Sequence, residues 1–304
     1  MSSRERVSFE GIGVQIAGDR WEPATGSARG TALLLHGGGQ TRHSWQRTGE
    51  RLARLGWEAI AVDARGHGDS EWAPDGDYSH RTMAADLRAI VGQLGRRPVL
   101  VGASMGGMAA LIAQGADPGL GRALVLVDIT PRVEQAGTEK IFAFMSSAPD
   151  GFASLEEASA AISAYNPHRK RPASLEGLKK NLRHRDGRWF WHWDPAFMTV
   201  RDEADRLLAE QAAMREQIGG SAVPVVRPEP LYAAAREIRV PTLLVRGRQS
   251  DIVSEEGAAE LLQLIPHAEY VDVTGAGHMV AGDDNDVFAE HLGEFLGRLP
   301  AAAG

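Results

Sequence analysis

Cysteine is absent from the 304-residue chain. Its absence excludes a disulfide framework, a zinc site built on thiolates, an iron–sulfur cluster and a cysteine nucleophile. No apolar run approaches the roughly 18 residues that a membrane-spanning helix needs. The N-terminal Met-Ser-Ser-Arg-Glu-Arg-Val contains no hydrophobic signal region. The sequence therefore predicts a soluble, cytoplasmic protein.

A strong excess of one charge is also missing, because 33 basic residues face 40 acidic ones and the net charge is −7. That balance gives no reason to expect a nucleic-acid or membrane partner. Apolar residues make up 43% and charged residues 24% of the chain, as in ordinary globular proteins. We therefore expect a folded, globular protein; the motifs in the chain, rather than its composition, predict a small-molecule substrate. Composition leaves its oligomeric state open.

Short apolar runs alternate with longer amphipathic stretches along most of the chain. Continuous apolar strands that alternate with helices indicate a mostly parallel sheet covered on both faces, which is an α/β fold. An antiparallel hairpin is expected at residues 7–16. The predicted strands lie at residues 32–35, 59–62, 99–101, 124–127, 242–245 and 270–273, and the predicted helices at 45–55, 83–94, 105–114, 255–264 and 287–299.

This alternation stops near Pro131 and resumes near Val240. The intervening residues have helical patterns, most clearly at 155–165, 175–184 and 202–218. A helical insertion after a sheet strand indicates a cap over the carboxyl ends of the strands. We predict a sheet domain of residues 1–130 and 240–304 and a helical cap of residues 131–239.

The strongest chemical motif is Gly102-Ala103-Ser104-Met105-Gly106, which lies between a predicted strand and a predicted helix. A serine on so tight a turn has a strained backbone and needs small residues two positions away on either side. In a chain with 35 glycines the pentapeptide alone is a weak signal. Its position between strand and helix makes Ser104 the candidate nucleophile.

A second glycine cluster, Gly37-Gly38-Gly39, follows the predicted strand at 32–35. Successive glycines allow backbone N–H groups to face a reacting carbonyl oxygen. Together with the N–H of Met105, such a donor would form an oxyanion hole. We predict Gly38 as the donor, with Gly39 as the alternative. No phosphate-binding sequence accompanies these glycines.

Among the ten histidines, His278 follows the last predicted strand on a glycine-rich loop and is the candidate general base. His36 and His67 lie in glycine turns and are interpreted as structural. Two carboxylates that follow strands could orient the base, namely Asp251 and Asp128. Asp251 is favoured because its strand directly precedes that of His278. No ligand spacing indicates a metal.

Together these motifs resemble the α/β-hydrolase superfamily, which includes carboxylesterases, lactonases, epoxide hydrolases and cofactor-free haloperoxidases. The resemblance spans about residues 30 to 285 and implies an α/β-hydrolase fold, with a mostly parallel central sheet flanked by helices and a helical cap inserted after strand 6. It implies no cofactor. Its motifs are His36-Gly37-Gly38-Gly39 with Trp45, the turn at 63–70, the elbow at 102–107, Gly247 with Asp251, and Gly277-His278.

A serine at position 104, where epoxide hydrolases and haloalkane dehalogenases carry aspartate, favours acyl transfer. The sequence thus predicts a serine hydrolase that cleaves small carboxylic esters or lactones through an acyl-enzyme. Two alternatives stay open, a hydrolase of carbon–carbon bonds in diketone-like ring-cleavage products and a hydrolase-like ligand receptor.

Four aromatic residues fall within 189–193, inside the predicted cap. Such a cluster forms either the core of the cap or part of an acyl pocket. Trp191 and Trp193, together with Gly39, are the candidate pocket residues.

Overall fold

An eight-stranded sheet forms the centre of the described part of the chain, which in this computed structural model comprises residues 4–23, 26–165, 174–198, 225–226, 228–274, 277 and 286–300. Twelve strands lie within these ranges, eight of them in this sheet and four in two separate pairs, β7 with β10 and β8 with β9. They are β1 (Arg4–Glu10), β2 (Gln15–Trp21), β3 (Thr31–Leu35), β4 (Glu58–Val62), β5 (Val99–Ala103), β6 (Ala123–Val127), β7 (Val133–Glu134), β8 (Leu182–Arg185), β9 (Arg188–Trp191), β10 (Val225–Val226), β11 (Thr242–Gly247) and β12 (Glu269–Val273).

The helices within these ranges are α1 (Gln46–Arg54), α2 (His80–Leu94), α3 (Met105–Ala116), α4 (Gln135–Met145), α5 (Leu155–Tyr165), α6 (Glu229–Arg236), α7 (Glu255–Leu264) and α8 (Asp286–Arg298). Short 3₁₀ helices span Arg42–Trp45, Leu175–Lys180 and Pro195–Met198. None of the described helices combines the length and the apolarity needed to cross a membrane.

The order of strands in the sheet is β1-β2-β4-β3-β5-β6-β11-β12. β1 pairs with β2, and β2 with β4, in antiparallel fashion, whereas all other neighbours are parallel. The mostly parallel sheet and the N-terminal edge hairpin are therefore confirmed. Because parallel strands end on the same edge, the loops after β3, β5, β6 and β11 meet there.

The central strands β3 to β6 and β11 are buried along their whole length. Side chains alternate between the two faces, so Leu33 and Leu34 belong to different hydrophobic clusters. One cluster includes residues of α2, α3, α6 and α7, and the other includes residues of α1 and α8. Two helical layers thus cover the sheet and explain its continuous apolar strands.

The described part of the insertion that follows β6 is less helical than the sequence suggests. The predicted helix at 155–165 is present as α5. The one expected at 175–184 is a 3₁₀ helix followed by β8, which forms a hairpin with β9. Asp186 and Gly187 have φ of 50° and 76°, the geometry of a two-residue hairpin turn. The predicted helix at 202–218 lies outside the described residues.

Helix α6 belongs to the sheet domain. A Cβ atom on Gly115 of α3 would lie 2.6 Å from the Cα of Ala234, so the two helices are in backbone contact. Leu231 and Ala235 are part of the hydrophobic cluster beneath α3. The sheet domain therefore resumes at Glu229, earlier than the predicted boundary at residue 240.

Candidate active site

Ser104 occupies the tight turn between β5 and α3. Its backbone φ of 46° and ψ of −116° lie where a residue with a side chain is strained. A Cβ atom on Gly102 would lie 2.6 Å from the carbonyl oxygen of Gly106, and one on Gly106 would lie 2.6 Å from that of Leu35. Close packing of the turn therefore requires both glycines. Ser104 itself is partly exposed at the strand edge.

The glycine loop after β3 lies beside this turn, because the N–H of Gly106 donates to the carbonyl of His36 at 3.1 Å. A Cβ atom on Gly37 would lie 3.4 Å from the Cβ of Ser104. Two of the three glycine N–H groups are occupied, since Gly37 donates to Oε1 of Gln40 and Gly39 to Nε2 of His67.

Gly38 supplies the third N–H of this loop. Among the residues that the structure describes, neither this N–H nor that of Met105 has a hydrogen-bond acceptor. The two residues are neighbours, because a Cβ atom on Gly38 would lie 3.9 Å from the sulfur of Met105. Two available donors beside a serine can stabilise a negatively charged oxygen.

The two candidate acids have contrasting environments. Asp128 follows β6, adjacent to β5, and its side chain is fully buried. Its carboxylate accepts hydrogen bonds from the N–H of Gly247 at 2.8 Å and from the hydroxyl of Ser250 at 2.5 Å. Asp251 follows β11, is 40% exposed and forms an ion pair with Lys140 at 2.8 Å. Of these two candidates, Asp128 is the one whose carboxylate is buried, and it follows the strand next to that of Ser104.

His278, the candidate base, lies outside the described residues. The residue before it is described, and a Cβ atom on this Gly277 would lie 3.8 Å from the carbonyl oxygen of Gln249. Gln249 directly precedes Ser250 in the loop that hydrogen-bonds Asp128. The chain therefore passes this loop immediately before His278.

His36 and His67 are fully buried, in agreement with a structural role. Nδ1 of His36 lies 2.8 Å from the carbonyl of Gly37, and its Nε2 accepts from the N–H of Ala64 at 2.9 Å. Burial lowers the pKa of both imidazoles, that of His67 to about 3. Both rings are neutral near pH 7. No three His, Asp or Glu side chains in the described ranges are grouped so as to hold a metal ion.

Aromatic side chains of the insertion cover the glycine loop. The ring of Trp193 lies 3.3 Å from the position of a Cβ atom on Gly39, and that of Phe197 lies 3.9 Å from the corresponding position on Gly38. Trp191 stacks on Trp193 with ring centroids 5.0 Å apart. Trp193 is thus in contact with Gly39, whereas Trp191 packs on the ring of Trp193. Phe197 was not among the predicted residues; its position just after the aromatic run is the sequence signal.

The insertion is anchored to the sheet domain beside this site. The N–H of Gly68 donates to the carbonyl of His192 at 2.8 Å, and the N–H of Asp194 donates to that of Gly66 at 2.7 Å. The hydroxyl of Tyr78 donates to the carboxylate of Asp194. Burial and this carboxylate raise the pKa of Tyr78, so its hydroxyl remains a donor.

Comparison with known proteins gives one family and a consistent fold. Residues 32–284 match the family model described as alpha/beta hydrolase fold. The chain is similar to the esterase Rv0045c of Mycobacterium tuberculosis, with 30% identity over 88% of this chain and 82% of that protein. It is also similar to the N-formylmaleamate deformylase of Pseudomonas putida, with 30% identity over 88% and 89%.

Among solved structures, that of E-2-(acetamidomethylene)succinate hydrolase superposes with a TM-score of 0.78. The superposition covers 97% of this chain and 100% of that chain at 23% sequence identity. It supports the α/β fold described above.

Proposed function

The chain belongs to the α/β-hydrolase family and is a hydrolase, and we propose that it cleaves small carboxylic esters or lactones through an acyl-enzyme on Ser104. One arrangement carries the proposal. Ser104 stands on a strained turn beside two available N–H groups, those of Gly38 and Met105, and the neighbouring strand is followed by the buried carboxylate of Asp128.

In this mechanism the hydroxyl of Ser104 attacks the substrate carbonyl and His278 accepts its proton. The N–H groups of Gly38 and Met105 stabilise the oxyanion that forms on the carbonyl oxygen. His278 returns the proton to the leaving oxygen, and the alcohol departs. Water, activated by His278, then hydrolyses the acyl-enzyme to release the acid and restore Ser104.

For the acid we propose Asp128, in the role that the sequence analysis gave to Asp251. Three observations support this choice. The carboxylate of Asp128 is fully buried, it is held by two donors, and its backbone follows the strand next to that of Ser104. Asp251 is partly exposed and is bound by Lys140. An acid that orients an imidazolium needs a fixed carboxylate in a site sheltered from water.

We further propose that Trp193 and Phe197 form the wall of the acyl pocket over Gly38 and Gly39. Their rings lie in van der Waals range of these glycines, so an acyl group bound to Ser104 would lie against an apolar aromatic surface. Trp191 supports the wall by stacking on Trp193.

The similarity to the mycobacterial esterase supports cleavage of esters. A second candidate is removal of an acyl group from nitrogen, which is favoured by the similarity to a deformylase over 89% of that protein. The same nucleophile and oxyanion donors serve both reactions, because both proceed through a tetrahedral intermediate.

The test is hydrolysis of p-nitrophenyl acetate and butyrate by the purified protein, with the Ser104→Ala variant as control. We expect turnover by the wild type and a loss in kcat of at least about 10³-fold in the variant, because the members of a triad act as a unit. A panel containing a lactone, an N-formyl amide and a vinylogous diketone then separates ester, acyl-nitrogen and carbon–carbon cleavage.

A serine-reactive phosphonate provides an independent test. We expect one covalent adduct, on Ser104, by mass spectrometry of the digested protein. If no substrate of the panel is turned over and no adduct forms on Ser104, the proposed function is wrong, and the alternative of a hydrolase-like ligand receptor is favoured.

A further inference from the structure

We propose that His67 is a positioning residue of the oxyanion hole, which holds the N–H of Gly39 so that the N–H of Gly38 remains the donor to the substrate. The inference rests on the proposed function and assigns a chemical role to a residue that the mechanism above does not use.

The hydrogen bonds of His67 define its tautomer. Nδ1 lies 3.0 Å from the carbonyl oxygen of Arg65, which can only accept, so Nδ1 carries the proton. Nε2 is then an acceptor, and it receives the N–H of Gly39 at 3.2 Å. An imidazolium, or the other tautomer, would place an N–H against the N–H of Gly39.

The surroundings keep the ring neutral and fixed. His67 is fully buried, and burial together with the neighbouring ring of His36 lowers its pKa to about 3. The ring makes an edge contact with Phe197 at a centroid distance of 5.0 Å and lies 5.3 Å from that of His36. Its backbone forms an antiparallel bridge with Trp193. The imidazole therefore acts as a constant acceptor throughout the neutral pH range.

The hydrogen bond from Gly39 to His67 matters because the backbone turns at Gly39. Gly39 has a φ of 72°, in the region where only glycine is unstrained. Its N–H directly follows that of Gly38 along the backbone. If His67 did not accept it, the peptide between Gly38 and Gly39 could rotate, and the orientation of the Gly38 donor would no longer be fixed. Removal of one oxyanion donor costs about 10²–10³-fold in kcat in a well-studied protease, and misorientation should cost less.

The experiment compares two side chains of nearly equal size. In His67→Gln an amide oxygen can still accept the N–H of Gly39, whereas in His67→Met no comparable acceptor is present. With p-nitrophenyl acetate we expect kcat to fall about 10–100-fold in the methionine variant, with KM changed by less than about threefold, and to stay within about fivefold of wild type in the glutamine variant.

Binding of butylboronic acid adds a readout that a purely structural role would not change. The boronate forms a tetrahedral adduct with Ser104 and places an oxygen in the oxyanion hole, whereas butyrate binds without such an adduct. We expect the methionine variant to lose affinity for the boronic acid by about the same factor as kcat/KM, and to bind butyrate as the wild type does.

If the methionine variant does not fold, ¹⁵N NMR of the wild-type imidazoles tests the inference directly. We expect His67 to show a protonated Nδ1 and an unprotonated Nε2 from pH 5 to 8, and both resonances to shift when the boronic acid binds. Wild-type kcat in the methionine variant, or a protonated Nε2, would overturn the role of His67. Absence of turnover in the wild type would instead overturn the proposed function.

Discussion

The hydroxyl of Ser250 donates to Oδ2 of Asp128 at 2.5 Å, across 122 residues of sequence. The N–H of Gly247 donates to the other carboxylate oxygen at 2.8 Å. The loop after β11 therefore supplies donors to a carboxylate that follows β6. Asp251, in the same loop, turns to Lys140 instead. The loop can thus contribute to the site through support of Asp128, without providing the acid itself.

The first prediction compares Asp128→Asn with Asp251→Asn. An amide at position 128 cannot stabilise an imidazolium and can favour the wrong tautomer of the base, so kcat should fall by up to about 10⁴-fold. Asp251→Asn weakens only a partly exposed ion pair and should leave kcat within about threefold of wild type. Steady-state kinetics and thermal unfolding of both variants provide the measurement. A dead Asp251→Asn enzyme and a normal Asp128→Asn enzyme would assign the acid to Asp251.

The second prediction concerns Ser250→Ala. The variant removes the hydroxyl that donates to Oδ2 of Asp128, and kcat should fall about tenfold, since a hydrogen bond to a charged group contributes about 1.5–3 kcal/mol. Ser254→Ala is the matched control, because the hydroxyl of Ser254 caps α7 and donates to Glu134 rather than to Asp128. It should cost about 1 kcal/mol of stability and leave kcat unchanged. Equal kinetic effects in the two variants would contradict the support role of Ser250.

The third prediction is a dependence of stability on pH through His67. Its pKa is about 3 in the folded protein and about 6.5 in the unfolded chain, so below pH 6.5 the unfolded state binds more protons. The contribution of neutral, buried His67 to the free energy of unfolding is fully present above pH 6.5. It is lost as the pH falls toward 3, because the unfolded chain binds a proton that the folded protein does not. Between pH 7.5 and 5.5 the wild type should lose about 1.4 kcal/mol more unfolding free energy than His67→Gln. Urea unfolding at the two pH values measures the difference, and equal losses would refute it.

The fourth prediction concerns Tyr78→Phe. Asp194 is 8% exposed and accepts from the hydroxyl of Tyr78, so the variant leaves a buried carboxylate with fewer donors. We expect a loss of about 1–3 kcal/mol in stability. Because Asp194 anchors the segment that carries Phe197, KM should rise more than kcat falls. Asp194→Asn, which retains an acceptor for Tyr78, should have the smaller effect. An unchanged KM with lowered stability would show that the contact serves folding alone.

Much of the fold could be predicted because it follows from local sequence patterns, namely apolar runs and the spacing of glycines. Apolar runs predicted the buried parallel strands, and glycine spacing predicted the turn at Ser104, where a Cβ atom on Gly102 would meet backbone at 2.6 Å. The predicted helix at 175–184 wrongly includes the start of β8, because the basic residues before Asp186 have no clear strand pattern. The Asp-Gly turn between β8 and β9 is the signal that would have indicated the hairpin.

The choice between two acids could not be made from the sequence, because it depends on strand order. Asp251 follows the strand that precedes the loop of His278 along the chain. In space β6 lies between β5 and β11, so Asp128 is the residue at the end of the strand adjacent to that of Ser104. The roles of His278 and of either acid stay predictions. The contact between Trp193 and Gly39 could not be predicted either, because it depends on how the insertion packs on the sheet domain and not on a local sequence pattern.

The two hydrogen bonds that flank His67 have a consequence for exchanging the insertion between relatives. Both connect main-chain atoms, from Gly68 to His192 and from Asp194 to Gly66, so neither depends on which side chains the insertion carries. A chimera could therefore exchange residues 192–198, which carry Trp193 and Phe197, and still dock, provided that the new segment is extended in the same register at 192–194 and keeps an acceptor for the hydroxyl of Tyr78. Acyl preference could then be re-engineered independently of the reaction chemistry.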